Sequence, residues 1–348
     1  MTSLRYLGSL TLLAALAACG GGGGGGNSDA GGGDAGGDVE VVATAGTLQA
    51  SVPASGYTAG SLELSAFEAL NVARGQAGAG QLRHDFDIDL AAEKHALYVF
   101  HNQADGIFHI EEPNKFGFYA ITPFDRLELA GFDVGYVTED IGGTGASLQG
   151  ADCVLGLLNT VYHSASLLSQ ATHVGIGFTV DMAGIPLCVI NPAATSANTY
   201  GQVPASGSFI GYPYDGQVDV AETFFVGFEV PRPSATLLPN LTAGTPVVVN
   251  LANADFLNFH ASGTLNATVT EFTLKDGSGN LVPAVILANS ELNAGNGVVL
   301  NDDFNLSLGV LVLVPSFPLT SSTTYTVDFS ASLKAGTELT KSWSFTTK

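Results

Sequence analysis

Val174-Gly-Ile-Gly-Phe-Thr-Val180, Asp181-Met-Ala-Gly184, Ile185-Pro-Leu-Cys-Val-Ile190 is an apolar run, a four-residue turn and a second apolar run. The pattern reads as a β-hairpin. A hairpin by itself is not stable in water and needs something packed on it. The residues before it supply helices. Leu64, Phe67, Leu70 and Ala73 recur at about three-residue intervals after Ser61, and Gly75, Gly78 and Gly80 close that run. Leu90, Ala91, Ala92, His95, Ala96, Val99 and Phe100 form a second run, for which Asp89 is the expected N-cap. The Asp85, Asp87, Asp89 spacing is not a calcium loop, because Leu90 and Ala96 stand where Gly and Glu are required. Pro123 to Leu129 reads as a third helix, Val134 to Ile141 as a strand, and Asp152 to Tyr162 as a helix with a further turn to Gln170. Helices first and strands last, without βαβ alternation, predict an α+β fold with a small antiparallel sheet covered by helices.

Beyond Asn191 the helical period disappears. Strands are expected at Pro246–Leu251, Thr268–Leu274, Leu281–Leu287, Gly309–Val314, Thr324–Leu333 and Ser342–Thr347, with Asp276-Gly-Ser-Gly-Asn280 as a hairpin turn. Tyr325, Val327, Phe329 and Ala331 alternate, as do Trp343 and Phe345, which is the pattern of a two-layer β-sandwich. The boundary between the two textures falls between about 195 and 210.

The chain carries 11 Lys+Arg against 32 Asp+Glu, a formal charge of −21. That balance argues against nucleic acid and against electrostatic docking on anionic lipid. Near the N-terminus, Tyr6 to Ala18 is an apolar run too short to span a bilayer, ending in Leu16-Ala17-Ala18-Cys19-Gly20. Small residues before a cysteine resemble the bacterial lipoprotein signal. On that reading residues 1–18 are removed and Cys19 is lipidated; an ordinary signal peptide cleaved elsewhere is the alternative. Gly20 after the cysteine favours the outer membrane or the cell surface. Residues 20–38, mostly glycine with Asn, Ser, Asp and Ala, read as a flexible tether, and 39–60 as an extended lead-in. With Cys19 used by lipid, Cys153 and Cys188 remain, either as a disulfide in an oxidising compartment or as two buried thiols.

Three stretches hold the chemistry: Phe108-His109-Ile110-Glu111-Glu112, Thr138-Glu139-Asp140-Ile141 and Val161-Tyr162-His163-Ser164. Two imidazoles and one or two carboxylates in one cleft could bind a divalent cation or move protons. His95 reads as a packed helix residue, and Arg126, beside Asp125 and Glu128, as a partner in a structural ion pair.

Asn71-Val-Ala-Arg74, Ala91-Ala-Glu-Lys-His95-Ala96, Ile107-Phe108-His109, Thr122-Pro-Phe-Asp-Arg126-Leu, Thr138-Glu139-Asp140-Ile141, Tyr162-His163 and Val174-Gly-Ile-Gly177 occur in an order and spacing that resemble the CAP superfamily (cysteine-rich secretory, antigen five and pathogenesis-related proteins) in its short bacterial form. The resemblance covers about residues 61–200 and implies an α-β-α sandwich whose cleft is lined by two histidines and two acids. By position these are His109, His163 and Glu139. The second acid falls near Thr160, so the set is incomplete, with Glu111 as the candidate substitute, and the motif asparagine is Asp140. Residues 208–348 resemble bacterial Ig-like domains through Tyr212-Pro-Tyr-Asp-Gly-Gln-Val and Trp343-Ser-Phe-Thr-Thr347.

The resulting expectation is a surface lipoprotein, non-enzymatic in role. Its His109, Glu139, His163 and Glu111 cleft would take a small apolar ligand, or a divalent metal held by His109 and His163. Zinc comes first, with magnesium or calcium behind it. Partners would be the membrane, through Cys19, and a small ligand or surface protein. The alternatives are a metal-assisted envelope hydrolase or peptidase with Glu139 as its catalytic carboxylate, an adhesin with an inert CAP-like fold, and a purely structural hydrogen-bonded cluster.

Overall fold

The computed structural model describes residues 47–106, 109–198, 201–254, 267–289, 291–334 and 336–348. The expected signal segment, Cys19 and the glycine tether lie outside the described residues, as does the lead-in up to residue 46.

Helix α1 (Leu62–Ala77) starts where Ser61 Oγ accepts from Leu64 N and stops at Gly78, which is left-handed at φ 87°. The Asn71 side chain holds the Leu82 backbone from both sides. Arg74 is fully buried, and its guanidinium donates to the carbonyls of Gly80, Leu167, Ser169 and Ala79. Burial pulls Arg74 down to about 9. After the short strand β1 (Arg83–His84), α2 spans Phe86–Asn102. Its cap is Asp85, not Asp89: Asp85 is extended and accepts from Asp87 N and Ile88 N. Asp89 lies in the first turn, where its carboxylate accepts from Tyr57 Oη at 2.6 Å and Ile176 N at 2.8 Å. Helix α3 (Pro123–Ala130) opens on a capping box between Thr122 and Asp125.

The strand expected over 134–141 is two strands, β2 (Val134–Val137) and β3 (Asp140–Gly143), interrupted at Thr138–Glu139. The single helix expected from Asp152 is α4 (Gly150–Leu158) and α5 (Tyr162–Leu167), parted at Asn159–Val161. The hairpin is β4 (His173–Val180) and β5 (Pro186–Thr195), whose turn is held by Asp181 accepting from Ala183 N and Ile185 N. The sheet order is β1-β4-β5-β2, with β3 also on β5. All pairs are antiparallel except β1–β4, so the sheet is mixed at one edge.

Helices lie on both faces. Val174 and Ile176 of β4 pack with Leu70 of α1 and Leu157 of α4. The intervening glycines face α2: a Cβ on Gly175 would lie 2.2 Å from Asp89 N, and one on Gly177 2.5 Å from the Ala92 backbone. Only glycine lets α2 approach this closely. Cys153 of α4 and Cys188 of β5 are joined by a disulfide with Cα atoms 6.4 Å apart. By loop-closure entropy such a link contributes about 3–4 kcal/mol.

The second half contains β6 (Ile210–Tyr212), β7 (Gln217–Val220), β8 (Phe224–Phe225), β9 (Thr242–Ala243), β10 (Val247–Asn250), β11 (Ala267–Lys275), β12 (Ala284–Ala288), β13 (Asn293–Ala294), β14 (Leu300–Asp302), β15 (Val310–Pro315), β16 (Thr324–Leu333) and β17 (Glu338–Thr347). Two sheets, β14-β12-β15-β10-β6 and β13-β11-β16-β17-β7, enclose Val249, Phe272, Leu313, Phe329, Trp343 and Phe345. The 276–280 turn does not close a hairpin within one sheet. It carries the chain from β11 in one sheet to β12 in the other, with a single bridge between Lys275 and Leu281. Strand β16 alternates between buried and part-exposed positions, whereas β15 is buried throughout. The reason is that β15 has apolar neighbours on both sides: Leu311 and Leu313 face the sandwich, and Val310, Val312 and Val314 face a second cluster with Phe224, Val226, Leu238 and Val161. The chain is thus α+β, and its two halves share a core. Among the described residues no helix is long and apolar enough to cross a membrane.

Candidate functional site

The interruption between β2 and β3 places Glu139 and Asp140 on opposite sides of the chain, as successive residues of extended backbone must be. The Glu139 side chain is buried among four polar neighbours. Its Oε1 lies 3.1 Å from His109 Nδ1 and 3.4 Å from His95 Nε2. Its Oε2 accepts from Arg126 Nη2 at 2.7 Å and Asn191 Nδ2 at 3.2 Å. Burial by itself would raise this carboxyl, but the hydrogen bond from His109 and the charges of His95 and Arg126 outweigh it and hold Glu139 at about 2.

His95 extends the cluster to Glu111. Its Nδ1 lies 2.8 Å from Glu111 Oε1, and its ring stacks on Tyr98. Glu111 Oε1 is also 3.6 Å from Arg126 Nη1, and its Oε2 accepts from Tyr119 N at 2.7 Å. Arg126 further donates to the carbonyl of His109 at 3.1 Å. Four helical or loop segments are therefore tied by one network running His109, Glu139, His95, Glu111, with Arg126 bridging both acids. His109 is its solvent-facing member, with 40% of the side chain exposed.

His163 is not part of this set. Its Nδ1 lies 2.9 Å from Thr160 Oγ1 and 3.6 Å from Glu229 Oε1. Burial would lower His163, but Glu229 and Asp140 outweigh it and its pKa is raised. Glu229 is itself buried and accepts from the backbone N–H groups of Val161 and Tyr162, so it caps α5 from across the chain. A carboxylate from the second half therefore stands beside His163 and Thr160. Asp140 Oδ2 accepts from Ser166 Oγ at 2.7 Å, while its Oδ1 is buried without a hydrogen-bond partner. Burial pushes Asp140 up to about 7.

Each of the two histidines is turned to its own carboxylate, His109 to Glu139 and His163 to Glu229. Among the described residues no group of three or more His, Cys, Asp or Glu side chains is placed to hold a metal ion. The Arg126 guanidinium lies 2.7 Å from Glu139 Oε2, so its positive charge opposes a cation arriving at that carboxylate. Sequence reasoning placed His95 merely in the helix interior and did not include Glu229 or Asn191. The available signal was Arg126: in a chain so poor in cations, a basic residue on a short apolar helix needs acidic partners. Asp125 was one candidate, but its carboxylate is engaged by Thr122 in the cap.

Elsewhere, residues 52–59 lie over α1 and leave a groove of about 610 Å³ lined by Val52, Tyr57, Leu64, Phe67 and Val72.

No family model and no curated protein matches the chain. Among solved structures it is similar to an outer surface protein from Borrelia burgdorferi, at 17% identity over 37% of this chain and 89% of that one, with a TM-score of 0.31. It is also similar to selenomethionine PcoC, a copper resistance protein from Escherichia coli, at 16% identity over 42% of this chain and all of that one, with a TM-score of 0.22. Likenesses at these scores carry no argument about what this chain does.

Proposed function

We propose that the protein is a non-enzymatic, lipid-anchored component of the bacterial cell envelope, in which a CAP-like module and an Ig-like sandwich act together as one binding unit. The observation that carries the non-enzymatic reading is the four-sided enclosure of Glu139 by His109, His95, Arg126 and Asn191. A metal or a nucleophilic water at this carboxylate would have to displace one of these partners and leave it uncompensated. The His/Glu centre is a tie between helices and sheet. Calorimetric titration with zinc is expected to show no stoichiometric uptake, and Glu139→Gln is expected to lower stability. Stoichiometric zinc binding that is lost in His109→Ala or His163→Ala would restore the metal reading. Lipidation is tested separately: Cys19→Ser is expected to release the protein from the membrane fraction.

A small apolar ligand is favoured by one observation, the groove under residues 52–59. A dansyl-labelled fatty acid is expected to gain fluorescence on binding there. Val72→Glu, at an exposed position of the groove, is expected to abolish the gain. Equal fluorescence in the variant would remove this reading.

A further inference from the structure

Helix α2 carries two apolar stripes. The inner one, with Ile88, Ala92 and Val99, lies on the sheet side of the helix. The outer one consists of Phe86, Leu90, Leu97 and Phe100, which are 69%, 37%, 44% and 40% exposed, with Glu93 at its centre. Steps of four, three, four and three residues put these five positions on one face, the spacing of a seam that meets another helix. Solvated helix faces are ordinarily polar, and a face with exposed apolar residues at four of five such positions over about four turns has the character of a docking surface. Its C-terminal end is extended by Phe116, packed edge-on against His101 with ring centroids 4.3 Å apart.

Charge identifies the occupant. At the N-terminal end of the stripe is a recess of about 430 Å³, lined by Tyr57, Glu63, Phe86, Leu90 and Glu93. Burial, then the charges of Asp89 and Glu63, raise Glu93 from its ordinary value, and the neighbouring Lys94 offsets them only in part, so acids outnumber bases there. A second copy is disfavoured: antiparallel pairing about the centre would set Glu93 against Glu93 between two chains of formal charge −21. An anionic bilayer is disfavoured by the same acids. The lining suits a long basic side chain, whose aliphatic stem would lie along Phe86 and Leu90 and whose charged head would be near Glu63 and Glu93.

We propose that the outer face of α2 docks an amphipathic helix of a partner protein, apolar at four-three spacing and carrying a Lys or Arg that enters the Glu63–Glu93 recess. The proposal does not depend on the reading of the Glu139 centre. The probe is a helical peptide of about 21 residues with leucines at four-three spacing and flanking lysines. A twin with every lysine replaced by glutamate is the control. Anisotropy with the full chain is expected to show binding of the lysine peptide, weakened at least about tenfold by Leu97→Asp and by Glu93→Lys, both exposed positions, with circular dichroism unchanged. The glutamate twin is expected to bind at least about tenfold more weakly. Any of four results overturns the proposal: no binding of the lysine peptide, equal binding of the two peptides, a dimer in sedimentation that Leu97→Asp dissolves, or co-flotation with phosphatidylglycerol vesicles that Leu97→Asp abolishes.

Discussion

Residues 62–195 bury Arg74, Asp89, His95, Glu111, Arg126, Glu139 and Asp140 among their helices and sheet, while the sandwich from Ile210 onward fills the space between its sheets with Phe272, Leu274, Phe329, Trp343 and Phe345. Both arrangements exclude water, but they fail differently. An apolar core loses stability in proportion to lost volume and accepts substitutes of similar size. A buried charge network is stable only while every member has its partners, and removing one member leaves the others uncompensated. The first half should therefore respond sharply to isosteric changes of charge, and the second mainly to changes of volume.

The most severe test is Arg126→Met, which leaves Glu139 and Glu111 without their shared cation. Stability to urea at pH 7 is expected to fall by about 3–5 kcal/mol. Leu313→Met between the sandwich sheets is expected to cost less than about 1.5 kcal/mol. Similar losses for the two would dissolve the distinction. Next comes the double change Cys153→Ser and Cys188→Ser, expected to lower the unfolding free energy by about 3–4 kcal/mol. Reduction of the wild-type protein should reproduce that loss if the cross-link is its cause.

Glu229→Ala removes the cap of α5 from the other half and is expected to cost about 1–2 kcal/mol. Hydrogen exchange at the Val161 and Tyr162 amides should quicken, and protection equal to wild type would show that the cap contributes nothing. Another expected effect is a gain. Asp140 has its folded pKa raised to about 7, so the folded state holds a proton that the unfolded state has already released, and this residue's contribution declines as pH rises from about 4 through 7. Asp140→Asn is expected to raise the urea midpoint at pH 8 and to leave it almost unaltered at pH 4. Glu139 runs the other way: held at about 2, it contributes above the ordinary carboxylate range and loses that contribution as pH falls toward 2. Glu139→Gln should therefore flatten the acid limb of the stability profile and leave the alkaline side unaltered in shape.

The strands of the sandwich were legible because alternation is a local signal: Tyr325 to Leu333 shows its inward face within a single window. The helices were legible for the same reason, together with their serine, threonine and proline starts. Errors arose where tertiary contacts chose between equivalent local options. Asp85 and Asp89 both suit an N-cap, and the contacts of Asp89 with Tyr57 and Ile176 decide between them. Of the polar centre, the sequence singles out His109, Glu111 and Glu139, whereas His95 reads as helix packing and the pairing is not legible. His95, Glu111, Arg126 and Glu139 meet because α2, α3 and the β2–β3 break converge, which no spacing along the chain expresses. Glu229 lies in the stretch that resembles an Ig-like domain, and its partners Val161, Tyr162 and His163 stand some 66–68 residues earlier.

The apolar contact between β15 and Val161 has a consequence for how this chain can be divided. The sandwich sheet that holds β10 and β15 has no wet face: Val248, Val310, Val312 and Val314 are covered by residues 224–243 and by the start of α5. Ile210 and Tyr212 likewise complete the cluster under α1. Cutting at 200–208, where composition changes, would leave both pieces with raw greasy surfaces, prone to clump. The seam visible in the residues is therefore no seam for the genetic engineer, and any recombination that trades one half for a homologue would have to carry the matching lining of the other.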